Sequence, residues 1–263
     1  GAASINTNSA QTILVRGTGS NLLVVGSAGG AGSSNIFGPA QSITAGQASE
    51  LGGIQIAGST TDGNRAHISS VGGGQTISTT GTLSVVGGSA PGLTAVTDCS
   101  SGGCAFLENS GISNQSITAN AISVQGGAGG GFNSAGLFSD GSQSLIVGAG
   151  GLSLTGGSGT GTGNGAGIVQ RGAAGTQNVT VNNGGSIILL GGSTAGAAVS
   201  GRGSLTSLES LGVSQSINFT AAGNIQLTGG TLGTGNRTII YANNNGAQSI
   251  TGVNLIQLVG GAS

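Results

Sequence analysis

Charge is the scarcest commodity in this sequence. Of 263 residues only 4% are charged, with five basic residues (all Arg), six acids and one His, for a formal net charge of -1. Without clustered cations there is no surface to neutralise phosphates, so a nucleic-acid partner is excluded. General acid–base work draws on His, Asp, Glu, Lys, Tyr or Cys, and their rarity leaves most catalytic schemes without parts. Two Pro and no Gly-X-Y period exclude collagen. No apolar run nears the roughly 18 residues of a membrane span; stretches such as Leu22-Leu23-Val24-Val25 stop at Gly26, and no membrane insertion is expected. No signal peptide is visible, and the opening at Gly1 reads as a processed product or a fragment.

Only two cysteines occur, Cys99 and Cys104, in the small-residue stretch Asp98-Cys-Ser-Ser-Gly-Gly-Cys104. A local disulfide and an oxidising compartment are the preferred reading, with two free thiols as the alternative. Two cysteines cannot build a structural zinc site alone, and no further pair or His cluster completes one. No metal or cofactor is expected.

Glycine, with 59 residues, is what the chain has in excess, and a mean hydropathy of +0.26 argues against disorder. One tag recurs along the chain, Gln followed two positions later by an aliphatic. It appears at Gln11, Gln41, Gln75, Gln115, Gln143, Gln177, Gln215 and Gln248, at intervals of 30, 34, 40, 28, 34, 38 and 33 residues. A second tag, aliphatic-x-aliphatic, falls in each interval, as in Ile54/Ile56, Ile122/Val124 and Ile225/Leu227. A third, small-x-aliphatic, precedes the next Gln, as in Ala66/Ile68, Ala105/Leu107 and Ala166/Ile168. Strict period two over short stretches marks strands with one buried face, and the intervening Gly-rich segments mark turns. No window has helical spacing.

Three strands per repeat, each too short to bury a face alone, stack on their equivalents in neighbouring repeats. The expected fold is all-β: one right-handed parallel β-helix over 1–263, a solenoid of about eight coils with three short strands each. Counted from the Gln strand, 1–10 and 248–263 are partial coils. The eight Gln side chains are expected to form one hydrogen-bonded ladder along a corner; the alternative leaves them facing water at strand starts. The longest insertion, Gly87 to Gly103, holds both cysteines and reads as a protruding loop.

Catalysis on such a fold needs carboxyl pairs at one azimuth of adjacent coils. Measured from their own Gln, Glu108 and Glu209 share an azimuth best but lie three coils apart. Asp62 and Asp98 fall in loops of different length, and His67, beside Arg65, reads as an outward strand residue. The Gly156–Gly167 run lacks the Lys and helix start of a phosphate loop. An ice-binding face is not expected, because unequal coils do not give the rod a flat side. The reading is therefore not an enzyme.

The stretch Gln115-Ser-Ile-Thr-Ala119, its siblings, and Ile122-Ser-Val-Gln-Gly-Gly-Ala-Gly-Gly130 resemble filamentous haemagglutinin-like surface proteins of Gram-negative bacteria. The resemblance implies secretion, a right-handed β-helical rod, and a role as adhesin or fibre component at the cell surface.

The two ends read as complementary parts of one coil, without the polar caps a solenoid normally carries. Ala3, Ile5, Ile250, Ile256 and Leu258 are the candidate assembly residues. Exposed apolar strand edges invite pairing, and a contact that does not close yields a filament. The expected function is an extracellular fibre built by head-to-tail stacking, with the chain itself as partner. An adhesin segment binding a host or surface ligand is the alternative, and a carbohydrate-active enzyme the weaker one.

Overall fold

The computed structural model describes residues 2–28, 32–47, 50–91, 102–158, 161, 163–193, 205–231, 236–243 and 246–261. These contain strands and turns and no helix. Small-x-aliphatic segments form one sheet of eight strands: β1 (Ala3–Asn6), β4 (Ser34–Gly38), β7 (Ala66–Ser70), β9 (Ala105–Asn109), β11 (Ala135–Ser139), β13 (Ala166–Gln170), β16 (Thr206–Ser210) and β18 (Thr238–Ala242). We call it sheet A. Every pairing in it is parallel and joins equivalent positions, for example Ile36 to Ile68 to Leu107 to Leu137.

The Gln strands and the aliphatic-x-aliphatic strands belong to the second sheet, which turns a corner. The strands are β2 (Gln11–Val15), β3 (Asn21–Val25), β5 (Gln41–Ala45), β6 (Gly53–Ala57), β8 (Gln75–Val86), β10 (Gln115–Gln125), β12 (Gln143–Thr155), β14 (Thr176–Val181), β15 (Ile187–Leu190), β17 (Ser214–Thr228) and β19 (Ala247–Val259). The parallel β-solenoid is thus as the repeats predict, with one difference. In β8, β10, β12, β17 and β19 two of the three expected strands are continuous. At that corner the register slips locally, as between Ala119 and Ala121, but pairing resumes at once. A bend that keeps its ladder leaves no unpaired backbone to satisfy, which is why no true turn is needed there.

Inside, the aliphatics stack column by column. Ile43, Ile77, Ile117, Leu145 and Ile217 form one buried file, and Ile54, Leu83, Ile122, Leu152, Ile187 and Ile225 another. The alternation in β5, β9 and β13, buried at every second residue, is the sequence pattern made physical.

Unequal coil length does not disturb the sides. The Gln strands stay in register from Gln11 through Gln41, Gln75, Gln115, Gln143, Gln177 and Gln215 to Gln248. This corrects the expectation that unequal coils deny the rod a flat side: the extra residues sit between strands. The outward row on this side, Thr12, Ser42, Thr76, Ser116, Ser144, Asn178, Ser216 and Ser249, mixes hydroxyls and an amide and is not a threonine array. Taken from sheet A, the outermost layers β1–β3 and β18–β19 each present all three sides.

The longest insertion contributes 92–101 to the residues outside the description, and Cys99 with them. Cys104 is fully buried and disulfide-bonded.

Candidate functional site

Three features stand out from the repeating frame: the glutamine file, the two end layers, and a strip of charged and aromatic side chains across sheet A.

Each Gln that opens a strand lies where the sheets meet, beside a second buried polar file formed by Ser70, Asn109, Ser139, Gln170 and Ser210. The glutamines form the expected ladder. Gln41 Nε2 donates to Gln11 Oε1 at 3.1 Å, Gln75 to Gln41 at 2.9 Å, and Gln115 to Gln75 at 2.7 Å. Gln143, Gln177, Gln215 and Gln248 continue it at 2.7, 2.8, 2.6 and 2.6 Å. Gln11 through Gln215 are buried; Gln248 is exposed on the outermost layer. Every rung runs the same way, with the amide nitrogen pointing back toward the preceding layer.

A second amide file, which the Gln tag overshadowed, sits at the turn before sheet A. Asn64, Asn133, Asn164 and Asn236 are buried two residues ahead of their strands. Asn133 Oδ1 accepts from the Gly103 amide at 2.7 Å, and Asn164 Oδ1 from the Asn133 amide at 2.9 Å. The signal was present as Asn-x-small-x-aliphatic in Asn64-Arg-Ala-His-Ile68 and Asn133-Ser-Ala-Gly-Leu137.

At the ends the inner columns are uncovered. Where interior counterparts other than the half-buried Leu227 are 0–3% exposed, Ile256 is 48% and Leu258 73% exposed, and at the opposite end Ile5 is 54% exposed. Ala3 is exposed with Ile5, while Ile250 is half-buried. Among the described residues β1 pairs only with β4, β2 only with β5, β18 only with β16 and β19 only with β17, so each end offers open strand edges.

The strip across sheet A was not foreseen. Outward rows bring His67 beside Phe106, and Glu108 beside Phe138. Asp140 and Arg171 directly follow β11 and β13 on the same side. His67 Nε2 donates to Glu108 Oε2 at 3.0 Å; Arg171 reaches Glu108 Oε1 at 2.5 Å and, through Nε, Asp140 Oδ1 at 2.7 Å. Phe106 packs edge-on against Phe138 with centroids 5.2 Å apart, and the Arg171 guanidinium lies 5.3 Å from the Phe138 centroid. Gly136 makes room for this, since a Cβ there would meet the Phe138 ring. Phe37, 41% exposed, and Tyr241 lie on the same outward row as Glu108 and Phe138.

The hydrogen bond from His67, together with the bond and charge of Arg171, outweighs burial and lowers the Glu108 pKa from 4.5 to about 2. Glu108 therefore has no proton to give at neutral pH, which suits binding and cross-bracing better than acid catalysis. His67 is an outward strand residue, as the sequence reading has it, and pairs with Glu108. Glu209 lies three layers from Glu108, as counted from sequence. Among the described residues no group of three or more His, Cys, Asp or Glu is placed to hold a metal ion, and no helix is long and apolar enough to cross a membrane. Comparison with protein-family profiles, curated proteins and solved structures finds no match for this chain.

Proposed function

We propose that this chain is a structural unit of an extracellular bacterial surface fibre that lengthens by head-to-tail stacking of copies. The observation that carries this reading is the pair of uncovered end layers. Ile5 at one end and Ile256 and Leu258 at the other are 54%, 48% and 73% exposed, in columns whose interior members are largely buried. Strand edges at both ends are free of Lys and Pro, the usual devices against edge pairing. A copy placed on either end in the same direction extends each sheet and each column by the rule that already relates one layer to the next. The likeness of the Gln-Ser-Ile-Thr-Ala repeats to haemagglutinin-like surface proteins supports the extracellular placement.

Electron microscopy of the purified chain, with sedimentation over a concentration series, tests it. Rods whose length grows in whole multiples of one solenoid are expected. Short monodisperse particles at all concentrations overturn the reading.

A second reading, an adhesin segment, is favoured by the strip on sheet A. Four of the chain's six aromatics, Phe37, Phe106, Phe138 and Tyr241, share one outward side with Glu108, Asp140 and Arg171. Aromatic and Arg side chains dominate binding hot spots. Substituting Phe37 and Tyr241 by Ser leaves the bracing network intact, and loss of adherence to a surface the unmodified chain coats separates this reading from the fibre.

A further inference from the structure

The ladder has a direction, and its two ends are chemically different. In each of its seven rungs the later Gln donates through Nε2 and the earlier accepts through Oε1. The assignment of N and O is fixed by the backbone. Nε2 of Gln75, Gln115, Gln177 and Gln215 also lies 3.1, 3.1, 3.0 and 3.1 Å from the carbonyl oxygens of Glu108, Phe138, Glu209 and Leu208, and a carbonyl only accepts. At one end Gln11, only 9% exposed, has spent its Oε1 on Gln41. Among the described residues its Nε2 has only a 3.5 Å contact with Ile5 O. At the other end Gln248 has spent its Nε2 on Gln215, leaving Oε1 as the open acceptor among the described residues.

We infer that this ladder is the orientation and register key by which a second copy of the chain joins, Gln11 Nε2 of one copy donating to Gln248 Oε1 of the next. The inference rests on the stacking reading above. In this joint β1 lies beside β18, β2 and β3 beside the two legs of β19, and the ladder gains a rung. Joining two like ends would set donor against donor or acceptor against acceptor at a buried position, each leaving groups unsatisfied. The aliphatic columns do not discriminate in this way, because dispersion has no sign. Orientation therefore falls to the amides.

The test substitution is Gln11→Glu. A carboxylate in that place still accepts from Gln41, so the internal rung survives, but the joint now meets Gln248 Oε1 with a second acceptor. At pH 7 the critical concentration for assembly rises on the order of ten-fold or more. Near pH 4 the side chain is a carboxylic acid whose O–H donates to Gln248 Oε1, and assembly returns; burial pushes that recovery upward in pH. No titratable side chain lies on β1, β2, β4, β5 or β19. The unmodified chain thus serves as the pH control.

Mixed in trace amounts with the unmodified chain, labelled Gln11→Glu caps one filament tip, because its Gln248 end is unaltered. Labelled Gln248→Leu, whose Gln11 end is unaltered, caps the other tip in a second colour and guards against a folding defect in the first variant. Undiminished assembly of Gln11→Glu at pH 7, or either label at both tips or along the filament, overturns the key while leaving stacking intact. Absence of filaments from the unmodified chain overturns the stacking reading itself.

Discussion

Replacing Gln143 by Leu breaks the ladder at its centre. Gln143 is fully buried; it donates to Gln115 Oε1 at 2.7 Å and accepts from Gln177 Nε2 at 2.8 Å. The leucine fills nearly the same space but leaves two groups without those partners, the Gln115 oxygen and one N–H of Gln177. Each buried group so orphaned costs about 1–3 kcal/mol. The added apolar area recovers about 1 kcal/mol, and Gln177 keeps its bond to Glu209 O at 3.0 Å. A net loss of about 2 kcal/mol corresponds to a melting-temperature drop of about 4–8 °C in a chain of this size. The decisive comparison is the double variant Gln115→Leu with Gln143→Leu. It orphans the Gln75 oxygen and the same Gln177 N–H, and adds only the lost bond from Gln115 Nε2 to the Phe138 carbonyl, so its cost stays well below twice that of the single variant. Independent packing defects would instead add. Thermal unfolding followed by circular dichroism reads both. An unchanged melting temperature in the single variant, or a doubled loss in the pair, refutes the ladder as a connected file.

Glu108 makes stability depend on acid. Its folded pKa is about 2 against an ordinary 4.5, so its contribution is present above pH ~4.5 and is lost as pH falls toward 2. With the side chain one-fifth exposed, the amount is on the order of 1–3 kcal/mol. In Glu108→Gln the melting temperature should start lower at pH 7 and fall less between pH ~5 and 2 than in the unmodified chain; parallel curves would show that the pairing with His67 and Arg171 contributes nothing. Gly127 faces the Gly88 carbonyl so closely that a Cβ would run into backbone oxygen. Gly127→Ala should therefore lower the melting temperature more than Gly72→Ala, where added atoms meet open space but the φ of 91° adds strain; equal losses would show that strain outweighs layer contact.

The layer repeat could be read from sequence because one residue type recurs at one place in every coil. A glutamine amide donates to the amide before it and accepts from the one after, which no aliphatic or carboxylate side chain does, so the ladder holds Gln11 to Gln248 constant while neighbours vary. The aliphatic pairs were legible for the same reason, being the inner face of short strands. The strip on sheet A was not, because the acids were counted from the preceding Gln, and that count runs through turns of unequal length. Counted from the small-x-aliphatic tag, His67 and Phe106 fall on one outward row, and Glu108 and Phe138 on the next. Arg171 escaped because it lies 63 residues from Glu108 and meets it only after two further layers are wound. The fused strands β8, β10 and β12 escaped because Ala119-Asn120-Ala121 looks like a turn in sequence while its flanks stay paired in register.

An interior layer has two neighbours and an end layer one, so what holds layers together inside is also what an end has left to offer. Covering the exposed parts of Ile5, Ile256 and Leu258 returns about 1 kcal/mol or more for each. The half-buried Ile13, Leu22, Ile250 and Val253 behind them add to this. Against it stands an association cost of about 4–15 kcal/mol. The balance is favourable only when all three sides dock at once and the strand edges pair, which makes the joint sensitive to a single intrusion. Leu258 is the place to test this, for at 73% exposure its side chain bears little on the fold of its own chain. A joint formed over Leu258→Arg would bury an unpaired guanidinium at a cost of several kcal/mol. The variant should keep the melting temperature of the dilute unmodified chain and sediment as a monomer at concentrations where that chain forms rods. A Leu258→Arg chain that still polymerises would place the joint somewhere other than the end layers.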